Sequence, residues 1–262
     1  MTGGGVTGRV LLVGGGPGAV DLLTVRGLRA LQEADVVVAD RLGPAANLDL
    51  PARVRVIDVG KRPGAHSVTQ AEINAILVRE ALAGNQVARL KGGDCFLFGR
   101  GGEEIAACRA HGIEVEVIPG VSSVLAAPAA AHVPVTHRGT SSSVLVVHGH
   151  DQLSTLAVTA VVTQAATVVV LMGVARLTDH VATLLDAGAR ADLPVVVTEQ
   201  ASTAGERVTR APLDQLVATC AAVGVRSPAV IVLGDVADPD LLGVDTYAHP
   251  VDTLAPAPLV WA

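Results

Sequence analysis

Short runs of β-branched and other apolar residues recur along the chain: Val10–Val13, Asp35–Ala39, Val54–Val59, Gln86–Leu90, Glu114–Ile118, Val144–His148, Thr167–Leu171, Pro194–Thr198 and Ala229–Leu233. Most are continuously apolar rather than alternating, the pattern of strands covered on both faces. Between many of them lie helical patterns with readable ends. Thr24 is placed to cap a helix over Val25–Glu33. Thr69 and Glu72 make a capping box for a helix that carries Ile73, Ile76 and Leu77 and stops at Gly84. Glu103–His111 stops at Gly112 and Ala175–Ala187 at Gly188, each Gly supplying the left-handed residue that ends a helix. Strands alternating with helices predict an α/β protein with largely parallel sheets.

The polar stretch Pro134–Ser143, with Arg138-Gly139-Thr140 and its serine run, leaves five predicted strands before it and four after. A boundary there predicts an N-terminal α/β domain over 1–136, a C-terminal α/β domain over 137–240 and a proline-bearing tail over 241–262. Half of the 262 residues are apolar but only 2% are aromatic, so both cores must be built from Val, Leu and Ala. With 19 Lys and Arg against 25 Asp and Glu, the net charge of -6 argues against a basic nucleic-acid binder. The high apolar content excludes a disordered chain.

Cys95, Cys108 and Cys220 form neither a CxxC pair nor an even framework, which points to a reducing compartment, with the cytoplasm as the default. The N-terminus has no basic n-region followed by a long apolar run. Two long uncharged stretches, Val117–Ala131 and Gln152–Ala175, are interrupted by Pro119 and Pro128 and by Thr and Gln residues, so neither reads as a membrane span.

Two glycine-rich loops carry the candidate chemistry. The first, Gly14-Gly15-Gly16-Pro17-Gly18-Ala19, follows a strand and fits the G-x-G-x-x-G/A dinucleotide fingerprint, with Asp40 about 20 residues on. Against that reading, Pro17 has no N–H for a pyrophosphate, and the first helix cap, Thr24, comes too late for the helix to start on the phosphate. A permissive turn without a ligand is the plainer alternative. The second loop runs from Lys91 to Glu104 and holds Gly92, Gly93, Gly99, Gly101 and Gly102. Two such loops at strand ends describe one crevice where backbone approaches a ligand closely.

Together these blocks resemble the uroporphyrinogen-III C-methyltransferase family of tetrapyrrole methylases. The resemblance rests on Val13-Gly14-x-Gly16-Pro17-Gly18 with Leu22-Leu23-Thr24, and on Gly60-Lys61-Arg62 with His66. It continues through Leu90-Lys91-Gly92-Gly93-Asp94 with Phe96, Phe98-Gly99-Arg100-Gly101 and Glu103-Glu104, then Ile118-Pro119-Gly120-Val121-Ser122-Ser123. Thr136-His137-Arg138, Gly149-His150, Leu171-Met172-Gly173 and Glu199-Gln200 extend it, so that it covers roughly residues 9 to 236. It implies two α/β domains, the N-terminal sheet mostly parallel and the C-terminal one mixed, with S-adenosylmethionine in the cleft between them and a homodimer as the assembly.

The implied reaction moves two methyl groups from S-adenosylmethionine to carbons of uroporphyrinogen III, giving precorrin-2 by way of precorrin-1, with no metal required. By matching position, the resemblance assigns Pro17, Gly92, Gly93, Asp94, Leu97, Ser122, Ser123, Met172 and Ala201 to S-adenosylmethionine, leaving S-adenosylhomocysteine as product. Arg41, Arg62, Arg138 and Met172 are assigned to the polycarboxylate substrate. Asp40 matches a proton acceptor, Lys61 a proton donor, and Arg100 with Glu103 a pair that orients or deprotonates the substrate. Arginine suits bidentate carboxylate recognition, although each of these cations also reads as solvated surface charge.

His148-Gly149-His150 is a weak metal pattern without an acid or Cys cluster and reads as a strand-end turn. Cys95, Ala19 and Ala39 depart from the family's usual Pro, Asp and Tyr. Three other readings stay open at this level: a methylase acting on a later corrinoid precursor, an NAD-dependent oxidoreductase, and a non-catalytic tetrapyrrole-binding protein.

Overall fold

The apolar runs become the strands of two five-stranded sheets, each in its own compact unit: residues 1–122 and residues 123–262. The computed structural model describes residues 7–40, 48–60 and 68–242. Arg41, Lys61, Arg62 and His66, together with residues 243–262 of the expected tail, lie outside the described residues.

In the first unit, β1 (Arg9–Gly14), β2 (Val36–Ala39), β3 (Arg55–Asp58), β4 (Val87–Lys91) and β5 (Glu114–Ile118) lie in the order β3-β2-β4-β1-β5. Every pairing is parallel, with Val13 opposite both Leu90 and Ile118. Parallel neighbours need crossover connections. Those present include α1 (Val25–Glu33), α2 (Gln70–Leu82) and α3 (Gly101–Arg109).

Successive strand residues face opposite sides of the sheet, so β1 feeds two apolar layers. Val10 and Leu12 pack with Ile73 and Leu77 of α2, while Leu11 and Val13 pack with Ala30 and Leu31 of α1. Both expected caps form. The Thr24 hydroxyl accepts from Gly27 N at 3.1 Å, and Thr69 and Glu72 make the reciprocal capping box. Such caps hold a helix start at about 1 kcal/mol each.

The second unit contains α4 (Ser123–Ala130), β6 (Val144–His148), α5 (Thr155–Val162), β7 (Thr167–Leu171) and α6 (Leu177–Asp186). It continues with β8 (Pro194–Glu199), β9 (Arg207–Pro212), α7 (Leu216–Val223) and β10 (Ala229–Leu233). The sheet order is β6-β7-β10-β8-β9. β6 and β7 are parallel, and β10 runs antiparallel to both β7 and β8, as β9 does to β8. This is a mixed sheet. Val168, Val170, Val195, Val197, Leu213, Leu216 and Ile231 centre its core, and all are aliphatic.

Four differences from the sequence reading have physical causes. β9 goes unpredicted because Arg-Val-Thr-Arg-Ala-Pro carries polar and charged residues, as an edge strand tolerates. Helices α4, α5 and α7 are so uniformly apolar or alanine-rich that they lack the contrast between faces on which periodicity depends. Helix α3 starts at Gly101 and α6 at Leu177, the latter after a separate 3-10 turn over Val174–Arg176. The two units divide after Ser122, ahead of Pro134–Ser143, because α4 packs against β8 and β10.

Among the described residues no helix is long and apolar enough to cross a membrane. All three cysteines are free and buried.

Candidate functional site

Three chain segments leave the carboxyl ends of β1, β4 and β5 through glycine and meet there. Gly15 N donates to Lys91 O at 2.7 Å, while Gly16 and Gly93 exchange backbone bonds at 3.2 and 2.7 Å. A Cβ on Gly14 would lie 2.6 Å from Gly120 Cα and 2.9 Å from Gly93 O. One on Gly120 would lie 2.6 Å from Gly14 Cα and strike Gly93 O. Only hydrogen fits at this crossing, which explains the glycines without reference to a dinucleotide. The first loop passes through a 3-10 turn over Val20–Leu22 before Thr24 caps α1, so no helix N-terminus opens at Pro17.

Asp94 ties the second loop to the exit of β5. Its Oδ1 accepts from Phe96 N at 2.9 Å and its Oδ2 from Gly120 N at 3.3 Å. Pro17, Gly92, Gly93, Asp94 and Leu97 are all half-buried around this junction, and so is Ser122. Cys95 is fully buried against Ile118 O, and burial, followed by the charge of Asp94, pushes its thiol up to about 12. It is therefore a packing residue, with no thiolate to offer as nucleophile.

Beyond Cys95 the loop turns outward. Phe96 and Phe98 are 57% and 42% exposed. Arg100 takes a left-handed backbone, φ 59, as it caps α3. Its guanidinium grips Glu103 in a fork, Nε to Oε1 at 2.8 Å and Nη2 to Oε2 at 2.7 Å. Each partner shifts the other toward its charged form, Arg100 upward and Glu103 downward. Both side chains are more than half exposed, so the pair stabilises the fold little.

Asp40 follows β2 at the same end of the sheet. Its Oδ1 accepts from Arg89 Nη2 at 2.7 Å. Arg89 in turn donates from Nε to Glu104 Oε1 at 3.0 Å, and Lys91 Nζ reaches both Glu104 oxygens, at 3.0 and 2.9 Å. Arg89, Lys91 and Glu104 are all buried. The sequence reading passed over all three as site residues, although a readable signal exists. An arginine between Ala88 and Leu90 in a buried parallel strand must be paired.

In the second unit, Met172 follows β7 with φ 57 and is 38% exposed. Ala201 is buried in a turn whose flanking residues, Gln200 and Ser202, also have positive φ. That turn is anchored by Glu199, which takes Arg207 in a bidentate pair and accepts from Arg226 N at 2.8 Å. Ser123 opens α4, and Arg138 is exposed between the bridged residues His137 and Ser141. Of the seven non-glycine residues with positive φ among the described residues, Phe98, Arg100, Met172, Gln200 and Ser202 are candidate-site residues or their near neighbours in sequence. Backbone strain of this kind persists where the surroundings enforce it, often at functional sites. No group of three potential metal ligands occurs among the described residues.

The first unit thus gathers Pro17, Asp40, Gly92, Gly93, Asp94, Leu97, Arg100 and Glu103 at one sheet end. Arg41, Lys61 and Arg62 are outside the described residues.

Residues 9–217 match the family described as Tetrapyrrole (Corrin/Porphyrin) Methylases. The chain is 43% identical over 242 residues to an S-adenosyl-L-methionine-dependent uroporphyrinogen III methyltransferase of Methanosarcina barkeri, covering 90% of this chain and 95% of that one. It is 44% identical to a uroporphyrinogen-III C-methyltransferase of Methanocaldococcus jannaschii, over 88% and 97% of the two chains. Among solved structures, the uroporphyrin-III C-methyl transferase of Thermus thermophilus complexed with S-adenyl homocysteine superposes with a TM-score of 0.73 at 40% identity. That match covers 87% of this chain and 98% of that one.

Proposed function

This chain belongs to the tetrapyrrole methylase family, and from that membership we propose that it is a uroporphyrinogen-III C-methyltransferase using S-adenosylmethionine. It converts uroporphyrinogen III to precorrin-2 by two successive methylations through precorrin-1, toward sirohaem- and cobalamin-type tetrapyrroles. The observation that carries the reading is the glycine crossing at Gly14, Gly93 and Gly120. The close-packed backbone leaves no cavity of its own; it holds Pro17, Gly92, Gly93 and Asp94 together at the carboxyl ends of the strands, where the ligand of an open α/β sheet sits.

When bound, the cofactor supplies a methyl group activated on a sulfonium. By the resemblance, Pro17, Gly92, Gly93, Asp94, Leu97, Ser122, Ser123, Met172 and Ala201 would hold it. Arg100 and Arg138 meet substrate carboxylates, with Arg41, Arg62 and Met172 as further substrate contacts. A carbon nucleophile held against the methyl needs mainly proximity and alignment. The new C–C bond leaves a proton to be lost, and Asp40 accepts it at Oδ2, its Oδ1 being taken by Arg89. Lys61 acts as proton donor, and Glu103 orients Arg100. The three free cysteines suit a reducing cytoplasm.

Titration calorimetry with S-adenosylhomocysteine and with NAD, followed by turnover of uroporphyrinogen III with S-adenosylmethionine, tests the reading. Binding of S-adenosylhomocysteine but not NAD, and formation of a methylated tetrapyrrole, are expected. Tight NAD binding without S-adenosylhomocysteine binding overturns it. The active form is a homodimer, so light scattering at micromolar concentration should give twice the chain mass. A 26.5 kDa particle rejects the dimer.

A further inference from the structure

We propose that Glu104 is a positioning residue that acts through Arg89 to set the carboxylate of Asp40; the proposal rests on the methyl-transfer reading above.

The observation is a chain of ionised groups buried where an apolar core would serve stability equally well. Arg89 lies within β4, is 2% exposed, and spends its donors in three directions. Nη1 donates to Val38 O at 3.3 Å and Leu90 O at 3.0 Å, Nε to Glu104, and Nη2 to Asp40. The two carbonyls and Glu104 fix the guanidinium plane, so its free edge is delivered to Asp40 in one orientation.

Glu104 is fully buried on α3 and is itself held from two other sides. Lys91 Nζ contacts both oxygens, and Gln70 Nε2 donates to Oε1 at 3.3 Å while also donating to Asn74 at 2.9 Å. Two cations therefore face two carboxylates. Only Asp40, 30% exposed, is open enough among these four to meet a ligand.

Burying ion pairs returns little net stability against well-packed apolar residues, so fixed geometry is the return that explains the cluster here. Neutralising Glu104 takes the carboxylate partner from Lys91 and leaves Arg89 paired with Asp40. Arg89 then loses the contact that fixes its Nε edge, so its Nη2 no longer holds Asp40 in one orientation. Asp40 is displaced from the proton it must take, while the glycine crossing is untouched.

A double-mutant cycle separates this role from a structural one. Turnover, S-adenosylhomocysteine affinity and melting temperature are measured for wild type, Glu104→Gln, Asp40→Asn and the double variant. Glu104→Gln should lower kcat on the order of 10- to 100-fold, the effect of misplacing a reacting group by about an ångström, with homocysteine affinity within about twofold. In the Asp40→Asn background the same change should leave the residual rate unaltered.

Arg89→Lys keeps the buried charge without the bridging fork, and should likewise be silent behind Asp40→Asn. It carries the test if Glu104→Gln fails to fold. Multiplicative losses in the double variants, wild-type turnover in Glu104→Gln or in Asp40→Asn, or loss of the fold in both Glu104→Gln and Arg89→Lys overturn the proposal. Wild-type turnover is read separately. A wild-type chain inactive on uroporphyrinogen III overturns the activity itself, whereas an active one with multiplicative losses overturns the coupling alone.

Discussion

Arg100→Ala should lose methyl transfer by on the order of 100-fold while keeping its melting temperature and its affinity for S-adenosylhomocysteine. Arg100 is exposed, and its ion pair is with an exposed Glu103, so truncating it removes no packed surface and should change stability within about 0.5 kcal/mol. Its backbone sits at φ 59, where any L-residue carries a steric cost that alanine shares. The exchange is therefore neutral in backbone terms. Arg100→Gly should relieve about 1–2 kcal/mol of that cost and raise the melting temperature, yet be as inactive as the alanine variant. With Nε and Nη2 on Glu103, the proposed substrate contact falls to the Nη1 side of the guanidinium or takes the place of Glu103. Arg100→Lys should recover only part of the rate, because an ammonium cannot make the paired contact. Near-normal turnover in Arg100→Ala would remove the residue from the mechanism, and an unfolded variant would make it a structural tie.

Gly120→Ala should damage fold and cofactor site together. The new methyl would lie 2.5 Å from Gly14 C and 2.6 Å from Gly14 Cα, and would also strike Gly93 O. All three are backbone atoms, so no flexible side chain can yield, and the ends of β1 and β5 must part. Overpacking costs about 1–3 kcal/mol where side chains can adjust, and the top of that range or beyond is expected here. Affinity for S-adenosylhomocysteine should fall at least about tenfold, since the loops that move carry the proposed cofactor residues Pro17, Gly92, Gly93 and Asp94. Gly112→Ala is the contrast. It has φ 70 but open space around the added carbon, so it should carry only backbone cost, about 1–2 kcal/mol, and leave binding intact. Equal effects from the two variants would mean that the crossing has no special part in binding.

Much of this was legible in the sequence because the first sheet is parallel and buried. Continuous valine and leucine runs marked its strands, and the Thr24 and Thr69–Glu72 caps marked its helices. Legibility fell where burial and contrast parted company. Arg207–Pro212 pairs with β8 through backbone that its side chains do not advertise, and Thr155–Val162 is apolar on nearly every side. The candidate site divides in the same way. Glycine spacing shows that backbone must approach something closely, but not that Gly14, Gly93 and Gly120 approach one another. Adjacent acids at a helix start both suit the dipole, so Glu103 and Glu104 look alike in the sequence. Only the fold reveals that one faces solvent and the other Arg89 and Lys91.

The all-aliphatic packing of both cores has an optical consequence. The chain holds one Trp and one Tyr, both beyond residue 242, and its two phenylalanines sit on an outward-facing loop. Among the described residues neither core therefore contains a Trp or Tyr whose surroundings change on unfolding, and near-ultraviolet dichroism and intrinsic fluorescence report little of their packing. Stability has to be followed through the peptide bands or by calorimetry. The same darkness is useful in the other direction, because a coloured or fluorescent tetrapyrrole taken up by the protein will be seen against almost no background of its own.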